Sequence, residues 1–158
     1  MVETTFFPDD FHAELWGVSK PIGPRQTNNA DDVALIQTML GHYLASPDIQ
    51  SPEEKAEADK LLTNTVGKGT KFVDGIYGAN TRAAVFLLER RIGSPIKDGV
   101  IRPVGQTDSM GRMSGLRGTK AFEINEIWDT VSASDSSKKL SGKQFLTPRL
   151  FNLLYPRG

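Results

Sequence analysis

Few side chains in this chain can carry chemistry, and their spacing excludes more than it allows. There is no cysteine, so thiolate nucleophiles, disulfides and cysteine-ligated metal sites are all absent. The two histidines, His12 and His42, lie in different segments, and no second histidine stands at a metal-binding spacing from either. His42 reads as a residue at the surface or the edge of the core. Asp9, Asp10 and His12 cluster in a proline-rich arm, where adjacent polar residues read as solvated loop. Gly67-Lys68-Gly69-Thr70 has the look of a phosphate loop but fails its demands: Gly69 stands where Ser or Thr must follow the lysine, and Leu62 stands where the leading glycine belongs. Carboxylate chemistry stays open, because the 19 Asp and Glu residues could supply the two carboxyls a glycosidase needs, and their pairing in space is invisible in a sequence. The expectation is a chain that is not an enzyme, with no catalytic residue, no metal and no cofactor.

Length and charge set the frame. At 158 residues the chain can bury one substantial core, so residues 1–158 are expected to form a single domain. Nineteen Lys and Arg balance nineteen Asp and Glu, which removes the electrostatic attraction used by nucleic-acid and anionic-membrane binders; neither is an expected partner. Met1 to Asp10 has no basic region and no apolar run of signal-peptide or membrane-spanning length. Synthesis in the cytoplasm without a cleaved signal is therefore expected.

The stretch Asp74 to Glu89 is the most structured message in the sequence. Asp74-Gly75 is a turn pair, since Asp bonds its own backbone and Gly accepts positive φ. Gly78 is a second flexible point. Asn80 or Thr81 can then cap a helix whose residues Thr81, Ala84, Val85, Leu88 and Ile92 share one face. On the same helix Phe86 falls between Arg82 and Arg90 at i, i+4 and i+8 spacing, and Leu87 also points off the main stripe; the N-terminal arm or the C-terminal residues are expected to cover that ring.

With Asp74, Gly75, Tyr77, Gly78, Thr81, Ala84, Val85, Leu88 and Glu89, the chain resembles the peptidoglycan-binding domain family, whose pattern is D-G-x-[FY]-G-x-x-T-x-x-A-V-x-x-[FL]-[QE]. Val33, Ile36, Gln37 and Leu40 resemble the V-x-x-[LI]-Q-x-x-L of that family's first helix, and Asp98-Gly99-Val100 resembles its second Asp-Gly turn. The resemblance covers residues 31–103, about half the chain. It implies a mainly α fold, a small orthogonal helical bundle, with a groove for stem peptide or glycan and non-catalytic binding of peptidoglycan or a muropeptide. Such a groove needs an aromatic face, amides for polar edges and a cation for a peptide carboxylate. Tyr77, Asn80, Gln37 and Arg82 are the residues near the signature able to fill those roles. Each also has a structural reading: Tyr77 as core, Asn80 as a cap, and Gln37 as an amide closing the core onto backbone. One alternative function is a protein-interaction or structural component of a secretion apparatus or a phage particle that reuses the scaffold. Another is a cell-wall hydrolase. If the wall is the target, a non-classical route, such as a contractile secretion system or a phage, must carry the chain to the periplasm or cell wall.

The remaining segments read as a helical core with additions. In residues 1–28, Pro8, Pro21 and Pro24 argue against a long helix, while Phe6, Phe7, Phe11, Leu15 and Trp16 argue for an arm laid on the core. The core spans 29–104. Asn29 can cap a helix with Asp31 and Asp32 in its first turn and Val33, Ile36, Leu40, Tyr43 and Leu44 on its apolar face. An insertion, 45–72, starts a charged surface helix at Ser51-Pro52-Glu53-Glu54 and runs to about Leu62, then a Gly-rich loop from Thr65 to Lys71. Residues 105–158 form a helical extension. In it Arg112, Arg117 and Lys120 read as charges on a solvated loop, Ile124, Ile127, Trp128 and Val131 mark an amphipathic helix from about Thr119, Ser132 to Ser141 reads as a linker, and Thr147-Pro148 opens a last short helix.

Overall fold

A computed structural model describes residues 3–6, 14–45, 51–66 and 72–133. Four helices dominate them: α1 (Ala30–Ala45), α2 (Pro52–Val66), α3 (Ala79–Arg91) and α4 (Lys120–Ala133). A two-stranded antiparallel ribbon precedes them, with β1 (Glu3–Phe6) pairing with β2 (Glu14–Gly17) so that Glu3 lies opposite Gly17 and Phe6 opposite Glu14. The protein is thus a mainly helical bundle carrying a short ribbon. That ribbon corrects the reading of the N-terminal arm, for which no strand was foreseen. Phe7 and Phe11 lie outside the described residues, and for Phe6, Leu15 and Trp16 only the backbone is described.

Helix α1 starts where the polar residues before it make it start. Asn29 Oδ1 accepts the backbone N–H groups of Asp31 at 3.1 Å and Asp32 at 3.4 Å, satisfying donors that the first turn leaves without partners. Asp32 does a second job: its buried carboxylate accepts from Ser19 N at 3.0 Å and Ser19 Oγ at 2.7 Å, fastening the segment after β2 to the helix. The five-residue apolar face read from the sequence understates this helix. Ala34, Leu35, Gln37, Thr38 and Met39 are buried as well as Val33, Ile36 and Leu40, because α2, α3 and α4 all pack around it.

Helix α2 is capped as its sequence requires, Ser51 Oγ accepting from Glu54 N at 3.0 Å. It runs a turn beyond the expected end at Leu62, taking in Thr65 and Val66, and lays a narrow face of Ala58, Leu61 and Leu62 on the core while its charged residues other than the half-buried Glu54 stay exposed. The rest of the expected Gly-rich loop, Gly67 to Lys71, lies outside the described residues.

One apolar cluster links these parts. It takes Val18 and Ile22 from the N-terminal segment, the α1 residues, Ala58, Phe72, Val73, Ala84, Val85, Leu87 and Leu88 from α3, and Ile101 and Ile124. Leu87, expected off the buried stripe, is in it. Ile22 and Ile101 exchange both backbone hydrogen bonds at 3.0 Å, so the segment before α1 is stitched to the residues that follow the second Asp-Gly turn. Helix α4 begins within a residue of the expected start and buries Ala121, Phe122, Ile124 and Asn125. It includes Ser132 and Ala133, read from the sequence as linker. The last expected helix, from Thr147, lies outside the described residues. Among the described residues no helix is long and apolar enough to cross a membrane.

Candidate functional site

The first Asp-Gly turn is built on Gln37. Its Oε1 accepts from the backbone N–H groups of Asp74 at 3.0 Å and Gly75 at 2.9 Å, and its Nε2 donates to Asp74 Oδ1, Ile76 O and Thr81 Oγ1 at 2.9, 3.0 and 2.9 Å. Asp74 Oδ1 also accepts from Ile76 N at 2.9 Å, the local bond that makes Asp a turn residue. Gly75 holds φ +76°, a conformation that favours glycine, and a Cβ there would stand a tight 3.2 Å from Ala30 O. One buried amide therefore ties the turn, the link and the start of α3 to α1. Gln37 is 1% exposed, and its polar atoms face into the chain.

The other three candidates lie at the surface of the same unit. Tyr77 is partly buried and its hydroxyl donates to Gly99 O at 2.6 Å. Burial pushes its phenol up to about 12, the neighbouring Arg82 cation pulling the other way. Asn80 is exposed in the first turn of α3 and is not the cap; the N-cap is Gly78, with no side-chain cap hydrogen bond. Thr81, the other expected cap, is buried and accepts from Gln37. Arg82 is 36% exposed on its side chain, reaches Glu89 Oε1 at 3.4 Å, and lies directly over Gly99. Tyr77 and Arg82 thus meet over the second Asp-Gly turn, Asn80 lies beside them in sequence at the mouth of α3, and Gln37 stands beneath. Next to them Ile76 is 67% exposed.

The second Asp-Gly turn repeats the construction with a charge in place of an amide. Asp98 Oδ1 accepts from Val100 N at 2.9 Å, and Gly99 N donates to Glu89 Oε2 at 2.9 Å, so Glu89 on α3 serves Gly99 as Gln37 on α1 serves Gly75. Glu89 is wholly buried and needs a cation. Lys120, at the start of α4, provides it, its Nζ lying 2.8 Å from Glu89 Oε2 and 2.9 Å from Asp98 Oδ1. Lys120 is 8% exposed, which corrects its reading as a solvated loop charge. Asp98 also takes Arg102 Nη2 at 2.8 Å. Burial would push the Asp98 carboxyl up, but the hydrogen bonds from Lys120, Arg102 and Val100 N outweigh it and hold the group well below the usual carboxylate range.

Beyond this turn a short hairpin, with Thr107 bridged to Met113, leads to α4. Between turn, hairpin and helix is a cavity of about 30 Å³, partly open to solvent and lined by Val100, Arg102, Asp108, Arg112, Ser114 and Lys120 among others. Gln37, Tyr77, Asn80 and Arg82 do not line it. The sequence reading missed Glu89 and Lys120; the available signal was that a second Asp-Gly turn needs a buried acceptor equivalent to Gln37. Phe86, expected to be covered, is 40% exposed among the described residues, with the Arg90 guanidinium 5.3 Å above its ring and Glu57 paired to Arg90 at 3.0 Å. Among the described residues no group of three or more His, Asp or Glu side chains is placed to hold a metal ion. No family model, no curated protein and no solved structure matches the chain.

Proposed function

We propose that this chain is a non-catalytic binding protein for peptidoglycan or a cell-wall fragment, and that the platform formed by the first Asp-Gly turn and the mouth of α3 makes the contact. The observation that carries the reading is the clamp of Gln37, which presents Ile76, Tyr77, Asn80 and Arg82 on one preorganised unit. Rigid presentation lowers the ordering cost of binding. Ile76 and the Tyr77 ring edge offer apolar surface for a sugar face or an aliphatic side chain, Asn80 offers an amide, and Arg82 offers a guanidinium for a stem-peptide carboxylate. The uncapped N-terminus of α3 adds a partial positive charge at the same place. In this reading Gln37 holds the platform from below.

A second reading, a protein-interaction or structural component of a secretion or phage assembly, draws on one observation. Tyr77 and Gln37 direct their polar atoms inward, leaving Asp74, Asn80 and Arg82 as the polar side chains of the platform nearest solvent, a sparse set for a glycan. Titrating soluble muropeptides into the isotopically labelled chain separates the two. Saturable shifts confined to the amides of residues 76–82, weakened at least tenfold by Asn80→Ala with Arg82→Gln, support wall recognition. Unmoved amides at millimolar muropeptide exclude it.

A further inference from the structure

The cavity beyond the second Asp-Gly turn is a separate feature with its own chemistry. Three of its lining side chains are cations, Arg102, Arg112 and Lys120, against one carboxylate, Asp108. The acids that neutralise Lys120 and Arg102, namely Glu89 and Asp98, are not part of the lining. Donors outnumber acceptors on its walls. Lys120 uses Nζ for two carboxylates and has a third N–H to give; Arg102 bonds Asp98 through Nη2 alone in the described contacts. Arg112 buries its Nε–H with no hydrogen-bond acceptor. Asp108 Oδ2 stands 3.5 Å from that nitrogen, a long ion-pair separation, and Asp108 Oδ1 is taken by Met110 N and Arg112 N, both at 2.9 Å. Ser114 and Thr119 have already turned their hydroxyl protons to Arg102 O and Leu116 O.

The geometry points to a binding site for a small carboxylate in this cavity. A carboxylate accepts without donating, its two coplanar oxygens match a guanidinium fork, and it answers the N–H donors that the paired acids leave spare on the lining. About 30 Å³ holds roughly two waters, the space two carboxylate oxygens take when they displace them. Residues 119–121, at the positive end of α4, line the same space and favour an anion further. The carboxylate can belong to a free acid or to the end of a peptide, and the site does not depend on wall recognition.

The test is an NMR titration of the isotopically labelled full chain with sodium acetate, N-acetylglycine, N-acetylglycinamide, sodium phosphate and sodium chloride at matched ionic strength. Acetate and N-acetylglycine are expected to shift the Gly115 and Ala121 amides and the Arg112 Nε–H saturably, with at least tenfold weakening in Arg112→Gln. Arg102→Gln serves the same purpose if the first variant is unfolded. A saturable response to N-acetylglycine alone assigns the site to a peptide terminus, and a response to both acids assigns it to small acids generally. Linear shifts, shifts matched by the amide, chloride or phosphate, or undiminished binding in a folded variant would overturn the proposal.

Discussion

Five hydrogen bonds converge on Gln37, one N–H being shared, and two of them take the backbone N–H groups of the Asp-Gly turn itself. Gln37→Ala removes the acceptor of two part-buried backbone donors of the turn and the buried amide beneath it, and a cost of about 2 kcal/mol in urea denaturation is expected; a cost under about 0.5 kcal/mol would mean the turn holds itself. At Gly99, φ is +72° and an added Cβ would collide with the Arg82 guanidinium. Gly99→Ala is expected to destabilise by about 1–2 kcal/mol through backbone strain. Because the obstructing group ends a flexible side chain, Arg82→Ala in the same chain should recover only the steric part. Tyr77 gives a pH signature. Its phenol is raised to about 12 when folded, against about 10 in an unfolded chain, so its contribution is whole below about pH 10 and lost as pH rises toward 12. The alkaline fall in stability is expected to be shallower in Tyr77→Phe; identical alkaline limbs would contradict the burial of that hydroxyl.

Among the elements, α3 is the hinge of the design because it takes one Asp-Gly turn at its start and supplies Glu89 to the other. Lys120→Met leaves the buried Glu89 carboxylate with only the longer 3.4 Å contact from Arg82, and a loss of roughly 3 kcal/mol is expected. Adding Glu89→Gln restores a neutral acceptor for Gly99 N, copying Gln37, and should return most of that loss in the same denaturation assay; no recovery would show that Lys120 acts by packing. Asp98 sets the acid limb. Its folded carboxyl lies below the ordinary value of about 3.9, so its stabilisation is present above that pH and drains away as pH falls beneath it. Below about pH 4 the stability of Asp98→Asn should therefore change less steeply than that of the parent chain. Much at this scale was legible in advance: the Asn29 and Ser51 helix starts rest on bonds between residues close in sequence, and so does the Asp side-chain bond inside each Asp-Gly turn, while the Gln37 and Glu89 acceptors beneath the turns come from farther along the chain. The ribbon was not, because β1 and β2 are four residues each with no sustained alternation and a proline between them. Lys120 was misread because its partners stand 31 and 22 residues away, beyond the reach of local pattern.

At the scale of the molecule, equal numbers of acidic and basic residues leave recognition to local surfaces rather than to a long-range field. The two we propose are the platform of Ile76, Tyr77, Asn80 and Arg82 and the cavity beyond Gly99 lined by Arg102, Arg112 and Lys120. The four candidate residues come from a motif; Tyr77 and Arg82 meet over the second Asp-Gly turn and Asn80 is exposed in the first turn of α3, but a motif cannot say which way an amide faces, and Gln37 faces inward. The most direct test of the central claim is co-sedimentation of the folded chain with purified insoluble peptidoglycan at moderate salt. Wall recognition through the platform requires the chain in the pellet and its Asn80→Ala, Arg82→Gln variant, equally folded, in the supernatant. A parent chain that stays in the supernatant, or a variant that pellets as well as the parent, would contradict it.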